Sequence, residues 1–259
     1  MYDIRLFGRL EVRTRGVRLA GRDFGGVKPR HILAMLALRG RLHTDELAQL
    51  LWDGRPPANH VVKLERYVSV LRHRLDPCGP ARESVIARVG GGYALVADHV
   101  RVDVARFDEL VTAAAGRTAG RALPPLTAAA HLADRPLLSG ERCAWAASAR
   151  HEYRVRLLDA LLDAAGHALT AGCPREALAL ANRAVGLNPV AERGWAAAIA
   201  AHRALGDRTA ALRAYDRCRR ELADGLGVEP SWDTRALFLQ LSRSGSVAIP
   251  LGPTAGLAK

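Results

Sequence analysis

Basic and polar side chains recur along the segment Pro57–Leu75 at the spacing of one helix face. At 100° per residue, Asn59, Lys63 and Arg66 lie on a single side, together with Ser69 and Val70. An apolar stripe suited to core packing lies opposite and comprises Val61, Leu64, Val68, Leu71 and Leu75. Because Arg and Lys bind phosphates and Arg also pairs with guanine edges, the pattern favours a helix that contacts a nucleic acid. The alternative is a surface helix whose charges are only solvated.

The charge balance supports a polyanionic partner. The 259-residue chain has a net charge of +12, and only three of its 38 basic residues are lysines, namely Lys28, Lys63 and Lys259. Residues 1–98 hold 17 Lys or Arg against 10 Asp or Glu, which makes them the more concentrated basic part. Such a field attracts nucleic acid, although an Arg-rich genome composition would contribute part of it.

Catalytic, metal and membrane signatures are weak in this sequence. The nine histidines, among them His31, His43 and His151, have no Ser or Asp spacing that favours a catalytic triad. The four cysteines form no Cys-x-x-Cys pair or Cys/His cluster, so neither a disulfide nor a metal or other cofactor is expected. The N-terminus lacks the apolar core of a signal peptide, and no run is long enough to span a membrane, so we expect a cytoplasmic protein.

Two further helices precede the basic one. Pro29–Arg39 carries apolar residues at helical spacing and stops at Gly40, a predicted C-cap. Thr44 is a predicted N-cap for a short helix that continues to Trp52. The connection Trp52–Pro57 contains Gly and Pro and must turn the chain. Three helices in this order predict a helix-turn-helix core.

Strand-like segments flank these helices. Alternation over Tyr2–Phe7, Leu10–Arg13 and Val17–Leu19 predicts an N-terminal antiparallel sheet. Ser84–Val89 and Tyr93–Val96, joined by three glycines, predict a hairpin that forms the wing. We therefore predict a mainly α protein with a small β component, whose N-terminal domain is an OmpR-like winged helix-turn-helix.

From Val100 onward the sequence predicts one helix after another, with a break at Pro124-Pro125. An offset of 34 residues aligns Gly172 with Gly206 and Ala177-Leu178 with Ala211-Leu212. This is the tetratricopeptide period, in which helix hairpins stack and leave a groove that binds proteins. The alternative is an irregular helical bundle with a chance match. An all-α tetratricopeptide-like second domain is therefore predicted.

Several motifs occur in an order that resembles the Streptomyces antibiotic regulatory proteins. The resemblance covers nearly the whole chain, and many motifs in one order are more specific than any single motif. They are Val27–Arg30, Leu47–Trp52 with Pro56-Pro57, Tyr67–Arg72, Gly91–Leu95, Asp103–Phe107 and Leu222–Ser231.

The resemblance implies an activator that binds direct repeats near the promoter −35 region and recruits RNA polymerase holoenzyme, including its principal sigma factor. Secondary-metabolite (antibiotic) biosynthesis is the process that it would regulate, and two protomers could lie side by side on the DNA. Taken together, the residues predicted to contact DNA are Lys28, Arg30, Asn59, His60, Lys63, Arg66, Tyr67, Ser69, Val70, Arg72, Arg74 and Arg88. Those predicted to contact the polymerase are Trp52, Asp53, Gly54 and Arg55.

By this likeness the domains are a DNA-binding domain at 1–98 and a bacterial transcriptional activation domain at 99–243. The glycine and proline content of residues 244–259 predicts a disordered tail. Many family members carry Arg where this chain has Val70, and many carry a hairpin Arg where it has Val89. The base-reading pattern is therefore open. No Gly-x-x-x-x-Gly-Lys-Ser/Thr motif is present to cradle a triphosphate. A DNA-binding repressor and a helical protein–protein adapter are the competing functions.

Overall fold

The computed structural model describes residues 1–77 and 84–243, which divide into two compact units. The first unit is Met1–Ala160 and the second begins at Leu161. The predicted tail at 244–259 and Cys78 lie outside the described residues. Most described residues are helical, and the strands all belong to the first unit.

The strands are β1 Tyr2–Arg5, β2 Glu11–Thr14, β3 Val17–Ala20, β4 Arg41–His43, β5 Ile86–Val89, β6 Gly92–Leu95 and β7 Val100–Val102. The helices of the first unit are α1 Val27–Arg39, α2 Thr44–Leu51, α3 His60–Leu75, α4 Asp103–Ala114 and α5 Ala119–Leu132, followed by the start of α6 Ala144–Thr170. The helices of the second unit after α6 are α7 Pro174–Leu187, α8 Glu192–Ala204, α9 Arg208–Leu226 and α10 Trp232–Arg243.

The N-terminal sheet has the strand order β3-β2-β1-β7, and its last strand comes from a distant part of the chain. β7 runs parallel to β1, with Ile4 opposite Val102. The Asp103 carboxylate accepts hydrogen bonds from the backbone N–H groups of Leu6 and Phe7 at 2.8–2.9 Å. Burial raises the pKa of Asp103 although these hydrogen bonds act in the opposite direction. β7 and Asp103 therefore belong to the first compact unit.

A second sheet of order β4-β6-β5 joins the helices to the hairpin. Neither β4 nor β7 was predicted, because each has only three residues and is stabilised by a partner distant in sequence. Thr44 is the first residue of α2 rather than its N-cap, and its hydroxyl donates to the Gly91 carbonyl at 2.6 Å. This hydrogen bond attaches the start of α2 to the tip of the hairpin.

The predicted break at Pro124-Pro125 is wrong, because α5 continues through both residues. Its buried face, which includes Leu123, Leu126 and Ala129, packs against α4. Packing of this face compensates for the backbone hydrogen bonds that the two prolines cannot donate.

In the second unit, α7, α8 and α9 pack successively against one another. α7 and α9 begin at Pro174 and Arg208, which reproduces the 34-residue offset seen in the sequence. The turns before them are equivalent: Gly172 and Gly206 have φ values of 73° and 77°, which favour glycine. A core containing Trp195, Ile199, Cys218 and Leu241 holds this unit together.

Candidate nucleic-acid interface

Helix α3 separates its side chains into a buried and an exposed face. Leu64, Val68, Leu71 and Leu75 are buried, as the apolar stripe predicted. Val61 is the exception, since it is 40% exposed and not part of the core. It lies in the first turn of the helix, which begins at His60 rather than at Pro57.

The exposed face opposite the buried stripe is centred on Val62, Arg66, Ser69 and His73, and we call these four residues the outer line of α3. They follow one another at spacings of four, three and four residues, which places them on one side of a helix. All four are exposed. Within the described chain, the Arg66 guanidinium forms no ion pair, so a phosphate or base can approach it without competing with a carboxylate.

The hairpin β5–β6 is attached to α3 by two arginines. Arg72 donates to the Ile86 carbonyl through Nε and Nη2, at 3.0 and 2.8 Å. Arg88 on β5 pairs with Glu65 on α3 at 2.9 Å, and both side chains are solvent-exposed. Arg72 is thus engaged by the hairpin, whereas Arg74 is exposed and has no ion-pair partner among the described residues.

The side of α3 next to the outer line faces other parts of the protein. Lys63 and Val70 are half-buried. Val70 packs on Gly25 so closely that a Cβ atom at position 25 would overlap a methyl group of Val70. Tyr67 is also half-buried and lies beside Trp52, with 6.4 Å between ring centroids. The Lys28 ammonium lies 5.7 Å from the centre of the Trp52 ring and donates to the Leu51 carbonyl.

The loop between α2 and α3 presents the residues predicted to contact the polymerase. Trp52 is half-buried, whereas Asp53, Gly54 and Arg55 are exposed. Asp53 and Gly54 both have positive φ, at 50° and 80°, and they turn the chain sharply. Before α3, Asn59 is exposed, while His60 is half-buried with its Nδ1 3.0 Å from the Pro57 carbonyl oxygen.

Arg30, unlike the exposed Arg66, belongs to a largely buried cluster. It donates to both oxygens of Glu141 at 2.6 and 3.0 Å, and His31 Nε2 lies 2.8 Å from the same carboxylate. Burial would raise the pKa of Glu141, but hydrogen bonds from His31 and Arg30 outweigh it and lower the pKa to about 2. Arg30 is therefore engaged in the fold. Contact with DNA would require it to leave a buried carboxylate.

The structure brings part of the predicted set together. Arg66 and Ser69 share the outer line, with Asn59 exposed just before the helix and Arg74 exposed near its end. Lys28, Arg30, Tyr67 and Arg72 are occupied by contacts within the protein. Val62 and His73 were missed, although the same 100° periodicity applied from Arg66 would have placed both on the outer line.

Comparison with known proteins identifies the family. Residues 102–241, more than half of the chain, match the family model described as the bacterial transcriptional activator domain. The chain is also 35% identical over 217 residues to regulatory protein AfsR of Streptomyces coelicolor, which covers 80% of this chain and 21% of AfsR. This chain belongs to the Streptomyces antibiotic regulatory protein family. Members of the family are transcriptional regulators.

Two mycobacterial proteins extend the family relationship. The chain is 27% identical to transcriptional regulatory protein MoaR1 of Mycobacterium tuberculosis, covering 92% of this chain and 78% of MoaR1. A solved structure of M. tuberculosis EmbR, in complex with a low-affinity phosphopeptide, superimposes with a TM-score of 0.77 and 28% identity. That match covers 94% of this chain and 65% of the EmbR chain. The chain spans about a fifth of the length of AfsR but most of MoaR1.

Every helix within 1–77 and 84–243 is too short or too polar to cross a lipid bilayer. In the same residues no three His, Cys, Asp or Glu side chains are grouped so that they could hold a metal ion.

Proposed function

We propose that this protein is a sequence-specific DNA-binding transcriptional activator. In this proposal the outer line of α3 lies in the major groove and the hairpin β5–β6 contacts the adjacent backbone, as in an OmpR-like winged helix. The observation that carries the proposal is the exposed face of α3, where Arg66 has no ion-pair partner in the described chain. An unpaired Arg can form bidentate hydrogen bonds with guanine or bind phosphate.

The contacts of the hairpin support this arrangement. Arg72 and the Arg88–Glu65 pair hold β5 against α3, and the Thr44 hydroxyl holds the tip of the hairpin against α2. The hairpin therefore has a defined position relative to the helix that would read the bases. We propose that Arg74 contributes a phosphate contact beyond the end of the base-reading segment.

The proposed targets are direct repeats near the −35 region, and the proposed partner is RNA polymerase holoenzyme with its principal sigma factor. The loop Trp52–Asn59 is exposed at Asp53, Gly54 and Arg55, so these residues are available to a protein partner. The tetratricopeptide-like helices from Leu161 onward would supply further protein contacts, since stacked helix hairpins form concave binding surfaces. The regulated process would be secondary-metabolite biosynthesis.

DNA reading is tested with full-length Lys63→Ala and Arg66→Ala variants in gel shifts on a selected operator and on a scrambled duplex. We expect a base contact to contribute about 1–3 kcal/mol to operator binding alone, whereas a phosphate contact contributes equally on both duplexes. Arg213→Ala is the matched control, because Arg213 is an exposed arginine on α9. If both α3 variants bind both duplexes as the control does, α3 does not read DNA.

Activation is tested by transcription with purified polymerase and its principal sigma factor. We expect the full chain to increase transcript from a promoter whose −35 element overlaps the selected site. A double variant that combines Asp53→Ala and Arg55→Ala should bind the operator as the wild-type chain does but should increase transcript less. Reduced transcript on addition of the wild-type chain would instead indicate a repressor.

A further inference from the structure

Val62 is the exposed apolar residue on the outer line of α3. Its surface is 66% exposed, and the other members of that line, Arg66, Ser69 and His73, are polar. Val61 is less exposed, at 40%, and lies on the flank of the helix. An isopropyl group at the N-terminal end of this otherwise polar line has a chemistry that polar contacts with DNA do not explain.

The position of Val62 along α3 limits what it can contact. It is the third residue of the helix, one turn before Arg66. In helix-turn-helix proteins the N-terminal residues of the recognition helix contact base edges, whereas later residues approach the backbone. Of the groups that base pairs present in the major groove, only the thymine 5-methyl group is apolar.

We infer that Val62 is a specificity-determining residue that reads the 5-methyl group of a thymine. This inference rests on the proposed DNA-binding function and adds a base identity to it. Contact between the valine methyl groups and the thymine methyl group removes apolar surface of both from water. A cytosine or a uracil at the same position offers no methyl group and therefore loses the contact.

The test uses a duplex that the full chain selects from a random pool. Each thymine is replaced in turn by deoxyuridine, which removes only the 5-methyl group. For the wild-type chain we expect one replacement in each half-site to weaken binding about fourfold, the effect of one buried methyl-sized group. Val62→Ala should weaken binding to the thymine duplex similarly and should bind the thymine and uracil duplexes equally.

Two further variants control for folding and for nonspecific effects of losing a valine. Val62→Thr keeps one methyl group and the branched shape, and it should retain part of the thymine preference. Val17 of β3 is 55% exposed. The Val17→Ala variant also loses an exposed valine, and its binding should respond to deoxyuridine as that of the wild-type chain does.

The inference is overturned if no deoxyuridine replacement weakens wild-type binding, or if Val62→Ala keeps the full thymine preference. A selected site without thymine has the same consequence. A loss of cooperative binding without any methyl dependence would assign Val62 to a contact between protomers instead. If the wild-type chain binds selected and scrambled duplexes equally, the proposed function itself fails, which distinguishes the two results.

Discussion

Arg30 and Arg66 lie on neighbouring helices of one compact unit, yet their surroundings are opposite. The Arg66 side chain is exposed, and no carboxylate of the described chain pairs with it. The Arg30 side chain is only 19% exposed and is bound through two nitrogens to Glu141. Both helices, α1 and α3, pack against each other, so the difference arises within one small structure.

The comparison separates an arginine whose charge is available to a partner from one whose charge is already bound within the fold. Arg66 can approach a phosphate without breaking an ion pair with any described residue. Arg30 would have to leave a buried carboxylate, and the uncompensated charge would cost about 3 kcal/mol or more. The count of 38 Lys and Arg residues therefore overstates the number of cationic side chains that this protein can offer to a nucleic acid.

The largest expected effect follows from removing the carboxylate of the buried cluster. Glu141→Gln leaves Arg30 and His31 without their charged partner, and we expect the free energy of unfolding to fall by about 3 kcal/mol. Urea denaturation followed by circular dichroism measures this change. The control is Glu46→Gln, which removes an exposed pair with Arg39 and should cost less than about 1 kcal/mol. Equal effects of the two substitutions would contradict the assignment of Arg30 to a buried cluster.

The same cluster predicts a dependence on pH. Because the pKa of Glu141 is lowered from 4.5 to about 2 in the folded protein, its contribution to stability is complete above pH 4.5. That contribution is lost as the pH falls toward 2, where the folded protein also takes up the proton. The stability difference between the wild type and Glu141→Gln should therefore shrink over this range. A difference that stays constant down to pH 2 would show that the Glu141 pKa is not lowered.

A crossed pair of variants sharpens the comparison further. Arg66→Ala should weaken operator binding by about 1–3 kcal/mol and leave the free energy of unfolding nearly unchanged. Arg30→Ala should lower the free energy of unfolding, while the folded fraction binds the operator as the wild type does. Gel shifts at matched concentrations of folded protein, together with denaturation curves, measure both quantities. If the folded Arg30→Ala variant bound the operator more weakly than the wild type, Arg30 would have to be counted among the DNA-contacting residues.

The smallest expected effect is a change in salt dependence. Each phosphate neutralised by Arg or Lys contributes about 0.9 to the slope of log affinity against log salt. If Arg66 contacts a phosphate, Arg66→Ala should lower that slope by about 1, whereas Arg30→Ala should not change it. A wild-type slope near zero would leave the basic charge without a nucleic-acid role and favour the adapter function.

Local features of the sequence predicted the elements that carry the proposed interface. Helix α3 keeps its buried stripe of Leu64, Val68, Leu71 and Leu75, because that pattern has the 3.6-residue period of a helix. The hairpin at β5–β6 follows from strand-forming residues on either side of Gly90–Gly92. The 34-residue offset likewise appears as equivalent turns before α7 and α9.

Contacts between distant residues decided the rest. β7 forms only because β1 accepts it as a parallel neighbour, and Asp103 binds Leu6 across 97 positions of sequence. The two prolines of α5 are tolerated because the helix buries its apolar face against α4. No local pattern contains this information, since each element is stabilised by a partner that only the folded chain supplies.

The sequence by itself determined the helix that presents Arg66, the hairpin beside it and the family to which the chain belongs. Only the tertiary structure decided which arginines are free, because Glu141 reaches Arg30 from 111 residues away. It also decided that Val62 is exposed while Val70 is packed on Gly25. The physical reason is that helical periodicity orders the side chains around one axis, whereas burial depends on what the rest of the chain places against each side.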